Sequence, residues 1–209
     1  NLTDMAGQIS AQLDQFMWNH YHQLDMLKAA SSLVSDGNYR IDSTLIKQLQ
    51  ASFPSFSWVG VTDANGIVKA SSGDILLDSD ISARPVFIEG AKGDFIGDVH
   101  EALLLSELLP NPSGEPLRFV DISSPLYDKE GNFKGVLAAH LNWNWAQERV
   151  AMTADTFSDS KRMDVLVLSK DYDVLLGPNE LIGESLEQTM VPISRSSERH
   201  WASITWPDK

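Results

Sequence analysis

Apolar residues recur at spacings of three and four through Leu2, Met5, Ile9, Leu13, Phe16, Leu24 and Leu27, with His20 interrupting the stripe. That period predicts one long helix over residues 2 to 33, with Asp36-Gly37-Asn38 as its stop. At about 1.5 Å per residue such a rod is roughly 45 Å long, more than a compact domain needs. Met17, Trp18 and Tyr21 widen its apolar surface. The stripe can therefore serve its own core, a second copy of the chain, or both. A shorter helix is expected over 43 to 51, capped by Asp42 and ended by Phe53-Pro54.

The period then changes to two. Residues 56 to 62 and 67 to 72 are rich in β-formers and flank Asp63-Ala64-Asn65-Gly66, which is turn chemistry. Asp80 and Ser82 are helix-capping types and Pro85 suits a first helical turn, so Arg84 starts a short helix over 86 to 92 that stops near Gly93. Three strand-like runs follow, at 95 to 101, 119 to 126 and 133 to 143. Residues 102 to 109 form a helical turn, and the proline-rich stretch 110 to 116 is a loop. Asp128 to Asn132 turns the last hairpin, and a helix over 143 to 157 leads away from it. Residues 165 to 177 then echo the first hairpin about a hundred residues earlier, and 198 to 206 would add a strand. The expected class is α+β: a long N-terminal helix (1–36), a complete antiparallel-sheet module (37–157), and a smaller or truncated second module (158–209).

With 16 basic and 29 acidic residues the chain carries net −13, which disfavours nucleic acid and anionic membrane surfaces as partners. The absence of cysteine excludes disulfides and thiolate-bound metal and suits any compartment, including an oxidising one. No apolar run reaches membrane-span length, and no signal peptide is visible. The abrupt start inside a helix and the end just past a strand are expected of a piece of a longer protein.

The long helix, the D-x-N-G hairpin, and the segments S-A-R-P-V-F (82–87), G-D-F-I-G-D-V (93–99) and P-L-Y-D-K-E-G-N-F-K-G-V-L (125–137) resemble the double Cache sensor domain. This is the PAS-like extracytoplasmic input module of bacterial chemoreceptors, histidine kinases and diguanylate cyclases. The resemblance implies a periplasmic domain of an inner-membrane receptor, tethered by flanking membrane helices. It also implies a homodimer packed along the long helix, with the ligand in the membrane-distal module. The amino-acid-binding branch carries R-x-W-Y at the helix; here Arg84 matches, but Val86 and Phe87 stand for Trp and Tyr. His140 stands at the late acidic position that would hold an ammonium group. G-E-P-L-R-F-V-D-I (114–122) with A-A-H-L-N-W (138–143) is closer to a branch that senses purine bases. The expected ligand is therefore a purine or related flat heterocycle, with an amino acid or carboxylate, or a ligand-free interaction module, as alternatives.

The residues themselves outline the same pocket. Arg84 is either a structural ion pair or a donor fork to a ligand. Asp121 alternates with Phe119 and Ser123 on one strand face; turned inward, its carboxylate needs a partner. His140 lies in an apolar run, where a satisfied core histidine is the default. Asp98 and His100 are placed to reach a ligand from its lid side. Trp58, Phe87 and Phe119 offer aromatic walls, with Val86 beside them. No cofactor and no metal is expected: the histidines at 20, 22, 100, 140 and 200 are scattered, and the turns at Asp63, Asp128 and Asp171 lack calcium-loop spacing. No nucleophile elbow, H-E-x-x-H or phosphate-cradling loop supports an enzyme.

Overall fold

A computed structural model describes residues 2–30, 43–112, 114, 117–157, 164–169 and 171–186. The chain forms two compact units, one of Asn19–Trp143 and one of Asn1–Trp18 with Asn144–Lys209. The predicted stop at 36 to 38, the Asp42 cap and the strand at 198 to 206 lie outside the described residues.

Helix α1 (Leu2–Ala30) is the predicted rod, and α2 (Ser43–Ser52) the predicted second helix. In the unit of residues 19–143, α1 contributes His20, Leu24 and Leu27 to the interior. His20 meets the edges of Phe53 and Phe56 at 5.8 and 5.1 Å, so the interruption in the stripe is an aromatic contact. The same helix is tied to the sheet edge by the Tyr21 hydroxyl, which donates to Asp94 at 2.5 Å, while Ser124 donates to the other Asp94 oxygen at 2.6 Å. The hydrogen bond to Asp94 pushes the Tyr21 phenol up to about 12.

The sheet contains β1 (Phe56–Thr62), β2 (Val68–Ser71), β3 (Phe95–Ile96), β4 (His100–Glu101), β5 (Arg118–Tyr127) and β6 (Phe133–Asn142). Its order is β2-β1-β6-β5-β3, all antiparallel where paired, with β4 also on the outer edge of β5. The two central strands are buried almost throughout, because helix α3 (Pro85–Gly90) and the 72–80 segment cover one face of the sheet. Helix α3 ends at Gly90, earlier than the sequence predicts, with Arg84 as its N-cap in extended conformation. The predicted strand at 95 to 101 is broken into β3 and β4. Phe95 pairs with Ser123 and Ile96 with Ile122, but His100 pairs with Phe119. Three residues, 97 to 99, thus stand opposite two, which is a β-bulge. Gly97 N–H still donates to the Asp121 carbonyl at 2.8 Å.

The hairpin turns share one device. Asp63 Oδ1 accepts from the N–H groups of Asn65 and Ile67 at 2.9 and 3.0 Å, and Asp128 Oδ1 from those of Glu130 and Asn132 at 3.1 and 2.8 Å. Turn formation thus accounts for both carboxylates. The backbone N–H of Asn132 is the main reason the Asp128 carboxyl falls to about 2.

In the other unit, Phe16 of α1 stacks on Trp145 of α5 (Asn144–Phe157) with ring centroids 3.6 Å apart. Thr153 donates to Gln12 at 3.1 Å. The echo of the first hairpin is real but short: β7 (Val167–Leu168) pairs antiparallel with β8 (Val174–Leu176). Here Ser169 Oγ, rather than Asp171, accepts from the turn N–H groups of Asp171 and Asp173, both at 3.1 Å.

Two predictions follow from these contacts. Gly135 holds φ of 150°, and a Cβ there would overlap the Thr62 carbonyl of the neighbouring strand; Gly135→Ala should lower stability by roughly 3 kcal/mol in urea unfolding. A depressed carboxyl stabilises the fold above its ordinary value of 3.8 and loses that contribution as pH falls through about 2. The melting temperature of Asp128→Asn should therefore fall less between pH 4 and pH 2 than that of the wild type.

Candidate functional site

A cavity of about 290 Å³ lies in the unit of residues 19–143, between the sheet, the start of α3 and the segment that follows the bulge. Its floor is a cross-strand row. Trp58 on β1 pairs with His140 on β6, and His140 pairs with Asp121 on β5, so all three side chains share one face. The bulge extends that row. A strand in unbroken register would put Val99 opposite Phe119; the extra residue puts His100 there, on the face that carries Asp121. His100 Nε2 lies 3.5 Å from Asp121 Oδ1, and its Nδ1 lies 3.3 Å from the Asp98 carbonyl oxygen.

Asp121 and His140 are 5% and 8% exposed. His140 Nδ1 and Asp121 Oδ1 are in direct contact as a buried ion pair.

Arg84 stands at the start of α3, where the Ile81 carbonyl accepts from its N–H and its own carbonyl accepts from Phe87 and Ile88. Its exposed side chain lines the cavity. Among the described residues the guanidinium has no hydrogen bond or ion pair, so the alternative of a structural ion pair has no partner there. Helix α3 is held close to the sheet by Gly90, where a Cβ would run into Ser123 and Val136. Leu76, on the covering segment, holds φ of +63°, an uncommon value for a bulky residue. That segment is secured by Trp58 Nε1 and Ser71 Oγ, which donate to the Ile75 carbonyl at 2.9 and 2.6 Å.

Seven of the ten residues singled out in the sequence line this cavity: Trp58, Arg84, Val86, Asp98, His100, Asp121 and His140. Phe87, Phe119 and Ser123 do not. Phe119 is 1% exposed inside the apolar core, Phe87 packs against that same cluster, and Ser123 is fully covered under Gly90. Trp58, at 0% exposed, presents little ring face. The aromatic walls expected for a flat heterocycle are thus largely replaced by aliphatic ones from Leu76, Ile81, Val99 and α4 (Leu103–Leu108). The leucines of α4 escaped the sequence reading because three in succession carry no period, although Leu103 and Leu104 are exposed at the cavity rim.

No family model matches the sequence, and no curated protein does. Solved structures match its fold. The extracellular ligand-binding receptor of Desulfohalobium retbaense superposes with a TM-score of 0.69 at 14% identity over 87% of this chain, which spans only 32% of that receptor. The ligand-binding domain of the Campylobacter jejuni chemoreceptor Tlp3, in complex with 4-methylisoleucine, gives 0.64 at 16% identity, covering 90% of this chain and 73% of that one. The ligand-binding domain of the Pseudomonas aeruginosa amino acid chemoreceptor PctC, in complex with GABA, gives 0.66 at 14% identity, covering 88% and 77%. The fold is therefore that of the sensor domains of chemoreceptors, the class that the double Cache resemblance implied.

The close seating of α3 makes a further prediction. Gly90→Ala should lift the helix and with it Arg84, lowering the melting temperature by several degrees; a conserved melting temperature would show that the sheet face has room to spare.

Proposed function

We propose that the chain is the extracytoplasmic sensor domain of a membrane receptor, and that its cavity binds a small aliphatic amino acid or carboxylate without chemical change. The observation that carries this reading is the polarity of the cavity. Its lining combines a guanidinium, Arg84, that has no partner among the described residues, a buried carboxylate, Asp121, and aliphatic side chains. A planar fork such as Arg84 suits a ligand carboxylate. The buried Asp121 carboxylate favours positive charge beside it. Asp121, on the strand paired with that of His140, offers a carboxylate at the same level of the sheet, which supports a ligand ammonium group there. The C. jejuni and P. aeruginosa domains carry 4-methylisoleucine and GABA, which agree with this class and not with a purine. A cavity of about 290 Å³ is at the small end of ligand sites. On this reading the domain is not an enzyme, and it works as a homodimer along α1.

Melting-shift screening of aliphatic amino acids, γ-aminobutyrate, short carboxylates and purine bases, followed by calorimetry, tests the proposal. At least one amino acid or carboxylate should bind at micromolar concentration, and Arg84→Ala should weaken it at least tenfold with an unchanged melting temperature. A well-folded protein that answers only to purines, or to nothing in the panel, overturns the reading.

A further inference from the structure

Three side chains in the cavity offer ligand atoms that all lie within 4.8 Å of one another: His100, Asp121 and His140. We propose that they hold one divalent transition-metal ion, with the remaining coordination positions open to the cavity. The inference shares a cavity with the reading above but does not need its ligand.

The first argument is the convergence of atoms on Asp121 Oδ1. His140 Nδ1 is in direct contact with it as an ion pair, and His100 Nε2 stands 3.5 Å away. Two imidazole nitrogens and a carboxylate oxygen, from groups of which Asp121 and His140 are more than nine-tenths buried, thus converge on one point. A cation at that point engages all three. Metal–nitrogen bonds of about 2.0–2.1 Å and metal–oxygen bonds of about 2.0–2.2 Å put neighbouring ligand atoms a little over 3 Å apart; His100 Nε2 lies near that range, and His140 Nδ1, in direct contact with Asp121 Oδ1, draws back when the ion enters.

The second argument is the tautomer. With its Nδ1 proton directed at the Asp98 carbonyl, a neutral His100 turns the lone pair of Nε2 towards an anionic oxygen. Lone pair and carboxylate repel unless something positive stands between them. A backbone carbonyl on the far nitrogen is also the usual outer support of a metal-bound histidine.

Two imidazoles and one carboxylate, with no thiolate, suit zinc, nickel, copper or iron rather than magnesium or calcium. Three protein ligands leave room for a fourth, so an amino or carboxylate group reaching in from Arg84 can complete the sphere. The positive charge favoured at this end of the cavity would then be the metal, with the organic ligand bound against it.

Zinc is the probe. The 209-residue chain, stripped with a chelator and dialysed, should bind one equivalent of zinc chloride at micromolar concentration or tighter in calorimetry. Zinc should raise its melting temperature, and cobalt(II) in its place should give visible ligand-field absorption. His100→Ala, at a half-exposed position, should weaken zinc at least tenfold, whereas His22→Ala on α1 should not change it. Should His100→Ala misfold, protection of His100 in the wild type from diethyl pyrocarbonate by zinc, read by mass spectrometry, decides the matter. No zinc uptake, uptake unaffected by His100→Ala, or no protection sinks the inference. A stripped protein that binds an amino acid but not zinc refutes the metal alone; one that takes zinc but no organic ligand refutes the sensing proposal alone.

Discussion

The register of β5 is the constraint on which the site depends. Its pairing with β6 sets Asp121 beside His140, and the bulge on its other edge sets His100 on the same face. Side chains on a strand alternate with a period of two, so a slip of one residue on either side would turn a ligand-facing group into a core or solvent-facing one. The ladder fixing the first pairing runs the length of both strands, with apolar residues buried around it. The second rests on β4, which is two residues long.

The apolar and polar halves of the cavity have different origins. The aliphatic walls come from segments that drape over the sheet: the 72–80 turn, the start of α3 and α4. Burying those side chains is favourable whatever the cavity holds. The polar groups are costly to bury and have no such support. A carboxylate and an imidazole paired inside an apolar core depart from the rules that govern the rest of that core, and such departures gather at sites of function.

Most of the fold was legible in the sequence because it is written locally. The period of α1, the turn chemistry at Asp63 and Asp128, and Pro85 after Arg84 each need only a few neighbouring residues. Arg84, Asp121 and His140 were legible because they are polar residues at positions where the pattern predicts burial or a helix mouth. The relation of His100 to His140 was not, since forty residues separate them and one extra residue decides which face His100 takes. Gly97 inside a strand run was the available signal, because glycine there often marks a bulge. Phe119 and Ser123 were misplaced for a different reason. Alternation tells which face a side chain takes, not which stretch of that face another helix covers, and α3 with the core covers both.

The sheet order gives the cavity one fixed wall and one adjustable one. Asp121 and His140 stand on β5 and β6, which are flanked by other strands along most of their length. Arg84, Asp98 and His100 stand on a short helix, a bulge and a two-residue strand. On the sensing reading proposed above, an anvil and a clasp divide the work: the central strands set what is accepted, and a signal starts at the edge of the sheet and not at its middle.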